Sequence, residues 1–211
     1  MNYAALKSAV AAWANRTDLA AHLPTFLALA EQRIWFGEPA AQIAPLRVLP
    51  MLTSVTLAPA GGVAALPVDF LDVERVAALP ADGNSKTPLT PRSPAAMGRF
   101  ELTDGAPQFF AVRNGALVFG PRFALPVELL YYARPTTPVA DADENWLMLQ
   151  APGVYLYGML IEVALYLRDE GLGLAARDLY RNALSAVQTA SDQQQAGGMS
   201  SLAIIADRGP L

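Results

Sequence analysis

Apolar positions in the first part of the chain follow the three-to-four-residue period of amphipathic helices. One such pattern covers residues 3–13, and Asn2 stands where a side chain can cap the first turn. A second pattern ends before Gly37, and Pro24 lies in or just ahead of its first turn, where a missing N–H costs little. The chain is therefore predicted to begin with two helices.

The middle of the chain has the pattern of strands and turns. Strands are predicted over residues 52–57, 70–79, 109–113, 116–119 and 127–133, which are rich in β-branched residues or alternate apolar with polar positions. Asn114-Gly115 joins the third and fourth of these and is the pair that a type I′ hairpin turn demands, because both turn residues need a positive φ. Prolines between residues 80 and 98 predict loop or sheet edge, with one short helix near Ala95.

The last third returns to the helical pattern. Pro152 suits the first turn of a long helix that we expect to end near Glu170 and Gly171. Residues 154–167 are apolar on nearly every face, so this helix needs neighbours on several sides. A second, amphipathic helix is predicted over residues 172–194.

These elements predict an α+β fold, in which helices from both chain ends pack as a bundle and an antiparallel β unit is inserted between them. The predicted divisions are residues 1–46 for the N-terminal helices, 47–140 for the β domain, 141–195 for the C-terminal helices and 196–211 for an extended C-terminal arm. We expect Trp146, Tyr155 and Glu162 to pack in the core or between subunits.

The composition of residues 196–211 indicates what the predicted arm does. Gly197-Gly198 would serve as a hinge, because glycine adopts conformations that other residues avoid. Leu202, Ile204 and Ile205 are too apolar to stay in water and too few to form a core. We therefore expect these three side chains to dock on a partner subunit, by adding to a sheet edge or filling a groove.

Composition narrows the class of protein. Hydrophobic residues make up 53% of the chain and charged residues only 16%, against about a quarter in typical globular proteins. Such a chain is not disordered, and part of its apolar surface is expected to face a partner. The formal net charge of -4 argues against a protein that grips phosphate. Zero Cys and a single His, His22, remove most thiolate, metal and triad chemistry.

The acidic residues 141–145 resemble the start of a calcium loop. Counted from Asp141, an EF-hand needs glycine at its sixth position and glutamate at its twelfth, where this chain has Trp146 and Pro152. The match fails, and we interpret these residues as a helix cap with acids at the helix amino end.

Other polar candidates also have structural explanations. Asp69, Asp72 and Glu74 have no nucleophile or oxyanion donor nearby, so solvated or ion-paired acids are the preferred interpretation. His22 is interpreted as packed or capping. Glu162 lies in an apolar helix and needs a partner, which we expect to be an arginine of the same subunit or of a neighbour. The sequence thus predicts no catalytic residue, no cofactor and no metal.

The sequence also bears on location. Residues 154–167, the most apolar stretch, are shorter than the roughly 20 residues that span a bilayer, and they include Glu162. The amino terminus lacks the basic region and apolar core of a signal peptide. We expect no membrane contact, and synthesis and folding in a cytoplasm.

Several strings, in their order and spacing, resemble the head–tail adaptor proteins of short-tailed bacteriophages that are related to tail tubular protein A. They are LAEQRI (29–34), LPVDFL (66–71), GAPQFFAV (105–112) with the hairpin after it, LLYYARP (129–135), NWL (145–147) and YLYG (155–158) leading into Glu162 and Ala164. The resemblance covers residues 3–190. Two features depart from the pattern of this family. Residues 35–39 stand where the family is expected to have a more basic segment that continues the helix, and the tail beyond Ala190 is longer than in compact family members.

The resemblance implies a structural protein of the virion, made in the cytoplasm of a bacterial host and placed in the neck between capsid and tail. Such proteins usually form a ring of twelve subunits that joins the portal to the tail nozzle or tail tube. Double-stranded DNA would leave through the lumen of this ring without specific binding. Two other classes stay open: a small α+β enzyme of phage or bacterial origin, such as a hydrolase, and a transient assembly chaperone.

Overall fold

The computed structural model describes residues 1–79 and 85–206, with side chains of the last helix described as far as Gly197. The chain forms two compact units. The first, which we call the helical unit, consists of Met1–Pro50 and Pro135–Leu211, and the second, the β unit, of Met51–Arg134. The predicted α+β class is confirmed.

Two helices open the chain, strands with one short helix occupy its middle, and three helices close it. The helices are α1 (Tyr3–Trp13), α2 (Leu23–Phe36), α3 (Pro94–Met97), α4 (Trp146–Gln150), α5 (Pro152–Leu167) and α6 (Glu170–Ala206). The strands are β1 (Leu52–Leu57), β2 (Val63–Ala65), β3 (Phe70–Ala78), β4 (Thr87–Pro88), β5 (Thr90–Pro91), β6 (Phe109–Arg113), β7 (Ala116–Gly120) and β8 (Val127–Ala133).

The predicted ends of the first two helices are confirmed. The Asn2 side chain accepts the Ala5 N–H at 2.9 Å and so caps α1. Pro24 lies in the first turn of α2. Gly37 has φ +72°, and a Cβ there would lie 2.5 Å from the carbonyl oxygen of Ile43, so only glycine lets the chain turn this sharply after Phe36.

The boundary between the last two long helices differs from the prediction. α5 ends at Leu167 rather than near Glu170, because Arg168 takes the left-handed conformation with φ 57°. The Asp169 carboxylate then accepts the Leu172 N–H at 2.9 Å and starts α6. Asp169 is thus an N-cap that the sequence reasoning overlooked in favour of Gly171.

The prediction of an extended arm over residues 196–211 is also corrected. α6 continues as helix through Gly197-Gly198 to Ala206. Each helical glycine costs about 1 kcal/mol relative to alanine, which the continuing hydrogen bonds of an established helix offset. Residues 207–211 and the side chains of Leu202, Ile204 and Ile205 lie outside the described residues, so docking by these three side chains stays a prediction.

The β unit contains two four-stranded sheets, with strand orders β1-β8-β3-β4 and β2-β7-β6-β5. Phe110, Phe119 and Leu129 are among the side chains that fill the core of this unit. The β6–β7 hairpin has positive φ at both Asn114 (52°) and Gly115 (71°), as predicted. The proline-rich stretch contributes only two-residue edge strands and the short helix α3, while residues 80–84 lie outside the described residues.

Helix α5 is the centre of the helical unit. It packs against α1, α2, α4 and α6, which confirms that so apolar a helix needs neighbours on several sides. Gly158 of α5 lies against residues of both α2 and α6. A Cβ on this glycine would lie 3.3 Å from Cβ of Ala30 and 3.4 Å from Cε2 of Tyr180.

We therefore expect Gly158→Val to overpack this contact and to lower the free energy of unfolding by about 1–3 kcal/mol. Urea titration followed by far-UV circular dichroism measures the change. Gly197→Val is the matched control, because a Cβ at this helical glycine meets nothing within 4 Å, and its effect should stay within about 0.5 kcal/mol. Equal effects of the two substitutions would show that the contact around Gly158 is not tight.

Candidate functional site

A buried polar cluster joins three elements of the helical unit. The Tyr155 hydroxyl of α5 donates to Glu31 of α2 at 3.2 Å, and the Thr137 hydroxyl donates to the other Glu31 oxygen at 2.7 Å. The Asn145 amide donates to the Tyr155 oxygen at 3.0 Å and to the Thr136 carbonyl, while its own oxygen accepts the Met148 N–H. Asn145 is thus both the cap of α4 and a member of this cluster.

Electrostatics keep Tyr155 neutral. Burial raises the pKa of its hydroxyl far above the ordinary value, and the negative charge of Glu31 raises it further. The hydroxyl therefore holds its proton and serves as a lasting donor to the Glu31 carboxylate. Such an arrangement fixes helices relative to each other.

A second polar group lies where α2 ends. Arg33 pairs with Glu162 of α5 and with Glu38, and both Arg33 and Glu162 are largely buried. Burial works against the charge of Arg33, but its hydrogen bonds to the two carboxylates outweigh this, so its pKa is raised. The arginine partner expected for Glu162 is therefore Arg33 of the same chain.

Trp146 and Tyr155 have different environments. Tyr155 is fully buried, whereas Trp146 is half-buried at the rim of a groove of about 410 Å³ in the helical unit. The groove is lined by small or apolar side chains of α6 together with parts of other elements, among them Val48, Pro50, Gly153, Ala183, Val187 and Ala190. Ser191 also lines the groove; it is buried and accepts the Leu49 N–H at 3.0 Å.

The remaining candidates take structural positions. His22 precedes α2 and stacks against Tyr166 and Phe26, with ring centroids 4.8 and 6.1 Å away. Asp69 accepts the Tyr131 hydroxyl at 3.1 Å within the β unit. Among residues 1–79 and 85–197, no three His, Asp or Glu side chains form a group that could hold a metal ion.

Sequence reasoning missed Glu31 and Arg33, although a signal for Glu31 was present. Glu31 lies four residues after Leu27 and three before Ile34, on the stripe of α2 that is buried. A carboxylate on a buried stripe needs hydrogen-bond donors, just as Glu162 does. Arg33 carries no such signal, because a helical arginine is most often solvated.

The fold and these clusters define a two-unit α+β protein whose buried polar groups tie its helices together. A family model for SU10 adaptor proteins matches residues 1–203. The chain therefore belongs to the SU10 adaptor protein family, a family of structural adaptor proteins of bacteriophages. The resemblance to phage head–tail adaptors is confirmed at this level. None of the curated proteins matches this chain closely enough to count as a relative.

Membership in this family places the chain with structural proteins of the virion neck that associate with other head and tail proteins. Within the described part of the chain, none of the helices has both the length and the apolarity needed to cross a membrane.

Two buried tyrosines allow a test of the polar cluster. Tyr155→Phe removes a donor to Glu31 and an acceptor for Asn145, and should lower the free energy of unfolding by about 1–3 kcal/mol. The Tyr180 hydroxyl is buried without a hydrogen-bond partner among the described residues, so Tyr180→Phe should be neutral or stabilising. Urea unfolding of both variants at neutral pH measures the difference.

The same variants differ from wild type at alkaline pH. Burial raises the pKa of Tyr155 and Tyr180 above their unfolded value of about 10. The contribution of these two hydroxyls to the free energy of unfolding is fully present below pH ~10. It is lost as the pH rises above that value, because only the unfolded chain then releases these protons. Tyr180→Phe should therefore make stability fall less steeply above pH ~10. A slope equal to that of wild type would show that Tyr180 ionises freely in the folded protein.

Proposed function

We propose that this chain is the subunit of a head–tail adaptor ring of twelve copies, as in the phage adaptors that it resembles, and that the ring joins the portal to the tail nozzle or tail tube. The observation that carries the proposal is the family match over residues 1–203, which includes both compact units. The subunit would stand in the virion neck, and its ring would line the channel through which DNA leaves.

Exposed apolar side chains of the helical unit support assembly. Trp13, Phe36, Leu165, Tyr166 and Leu174 are each more than half exposed. Of these, Leu165 and Leu174 line one groove, and an exposed apolar surface of this kind is one that a neighbouring subunit of a ring would cover. Head-to-tail contacts between identical subunits close into a ring when the rotation permits.

The charge balance supports a channel that does not hold DNA. The chain has a formal net charge of -4 and only two lysines, Lys7 and Lys86. Tight binding to duplex DNA requires several phosphates to be neutralised by clustered Lys and Arg. A wall without such clusters would let DNA pass without specific binding.

The end of α6 is proposed to contact the portal. Leu202, Ile204 and Ile205 belong to the last part of this helix, beyond the last described buried residue, Ser191. Residues 192–197 are exposed, so α6 has no described packing contact there that would cover its continuation. An apolar helix end of this kind fits a groove on another protein.

We expect the purified chain alone to sediment as a monomer or small species and to form rings when the purified portal protein is added. Sedimentation velocity gives the size of each species, and electron microscopy of the mixture counts subunits per ring. Rings of another number would correct the count of twelve and leave the adaptor function in place. Stable assembly with a protein that is not part of the neck, or absence from purified virions, would favour a chaperone instead.

Truncation after Gln195 tests the portal contact. The truncated chain should keep the melting temperature of the full chain, because residues 192–197 are exposed, and should bind portal about tenfold more weakly or worse. The full-length variant with Leu202, Ile204 and Ile205 all changed to Ser separates loss of apolar contact from loss of length. Portal binding as tight as that of the full chain in both variants would rule out this contact.

A further inference from the structure

Strand β1 is an edge strand with an open hydrogen-bonding side. It is the outermost strand of its sheet, and its residues Leu52 to Leu57 pair with β8 in unbroken register. On its other side, no backbone hydrogen bond joins β1 to any part of residues 1–79 or 85–206. Every second residue of β1 therefore points its N–H and carbonyl away from β8, where water or another strand can hydrogen-bond to them.

The other described sheet edges carry protection that β1 lacks. β4 and β5 are two residues long and end in Pro88 and Pro91, which have no N–H to offer. β2 is three residues long, and Val63 exchanges both of its outer hydrogen bonds with Ala60. β1 is six residues long and contains no proline, charge or bulge. Natural proteins normally blunt such an edge, since it is a template for pairing with another chain.

The side chains of β1 indicate what would pair with it. Val55 and Leu57 pack against the core of the β unit but are only half-buried, so an added strand with apolar side chains on that face would complete their burial. Ser54 and Thr56 are exposed on the opposite face. Residues 48–68 contain no charged side chain. Glu128 of β8 lies opposite Thr56, but it is already paired with Lys86 and Arg75, so an incoming charged segment would find no free counter-charge along β1.

A second copy of the chain is a poor occupant. Self-pairing of β1 would be two-fold symmetric, which closes a pair of subunits and cannot continue around a ring. The described edges that another copy could offer in a head-to-tail manner are the short, blunted ones. The described strands of a second copy therefore do not suit β1, which favours an occupant from a different protein.

We propose that β1 binds an uncharged, extended segment of the tail-side partner, which adds to the sheet as a further strand next to β1. The segment would be about as long as β1 and carry apolar side chains at every second position. This inference rests on the proposed function: an adaptor holds two proteins, and the portal contact is assigned to α6 in the helical unit. The contact with the tail is therefore assigned to the β unit, which is a separate compact unit. Main-chain hydrogen bonds would supply the affinity, and Val55 and Leu57 the selectivity.

The test uses the full chain with the purified tail nozzle or tube protein of the same phage. The variant Ser54→Lys with Thr56→Lys places two charges on the exposed face of β1 and should weaken tail binding about tenfold or more. The matched control is Thr87→Lys with Thr90→Lys, which adds the same charge at the exposed threonines of the proline-blocked edges and should leave binding unchanged. Circular dichroism verifies that both variants remain folded.

Hydrogen–deuterium exchange on the wild-type chain gives a second measurement that needs no variant. Amides of β1 should become protected when the tail protein binds. Tail binding with β1 exchange and variant affinity unchanged would overturn the assignment of β1 and leave the adaptor function standing. Protection of β1 by the portal protein, or by the chain itself at high concentration, would replace the proposed occupant with another. Failure to bind either portal or tail protein would instead overturn the proposed function, and this inference with it.

Discussion

The enclosure of α5 is the constraint on which the helical unit depends. This helix is apolar on nearly every face, and most of its residues are buried, so α1, α2, α4 and α6 have to surround it. Its one charged residue, Glu162, cannot stay unpaired there, because a buried charge without its partner costs about 3–5 kcal/mol. Arg33 supplies the partner. This ion pair and the Tyr155–Glu31 hydrogen bond, together with the close contact of Gly158 and Ala30, define how α2 lies along α5.

Elements whose ends are decided by one or two residues could be predicted from the sequence. Asn2, Gly37 and Asn114-Gly115 each impose a local backbone geometry, and the structure has a cap, a helix end and a hairpin at those places. The break between α5 and α6 differs from the prediction because the better N-cap is not Gly171 but Asp169. Asp169 lies two residues after the end of α5 and follows a left-handed Arg168. The strands β4 and β5 exist only through pairing with β3 and β6, which no local pattern reveals.

For the polar clusters too, the sequence predicts some features, and the tertiary fold decides the others. That Glu162 needs an arginine follows from its position in an apolar helix, but the identity of that arginine does not, because Arg33 lies 129 residues away along the chain. Glu31 could have been found by its spacing on the buried stripe of α2. Its donors Tyr155 and Thr137 could not, because they come from α5 and from the segment ahead of α4. Periodicity identifies which side chains are buried, and only the tertiary fold decides what each of them meets.

Residues 48–68 show how strand order decides whether a segment becomes an exposed sheet edge. Read along the chain, this stretch is simply uncharged, and β1 looks like any half-buried strand. Its position at the end of the order β1-β8-β3-β4 exposes a row of backbone groups, and no charged side chain of β1 itself repels another strand. If β1 lay between two strands, both of its hydrogen-bonding sides would be paired, and the same residues would offer no binding surface. A family of adaptor proteins works through surfaces that join other proteins, so strand order, which sequence patterns leave undetermined, decides where such a surface can be.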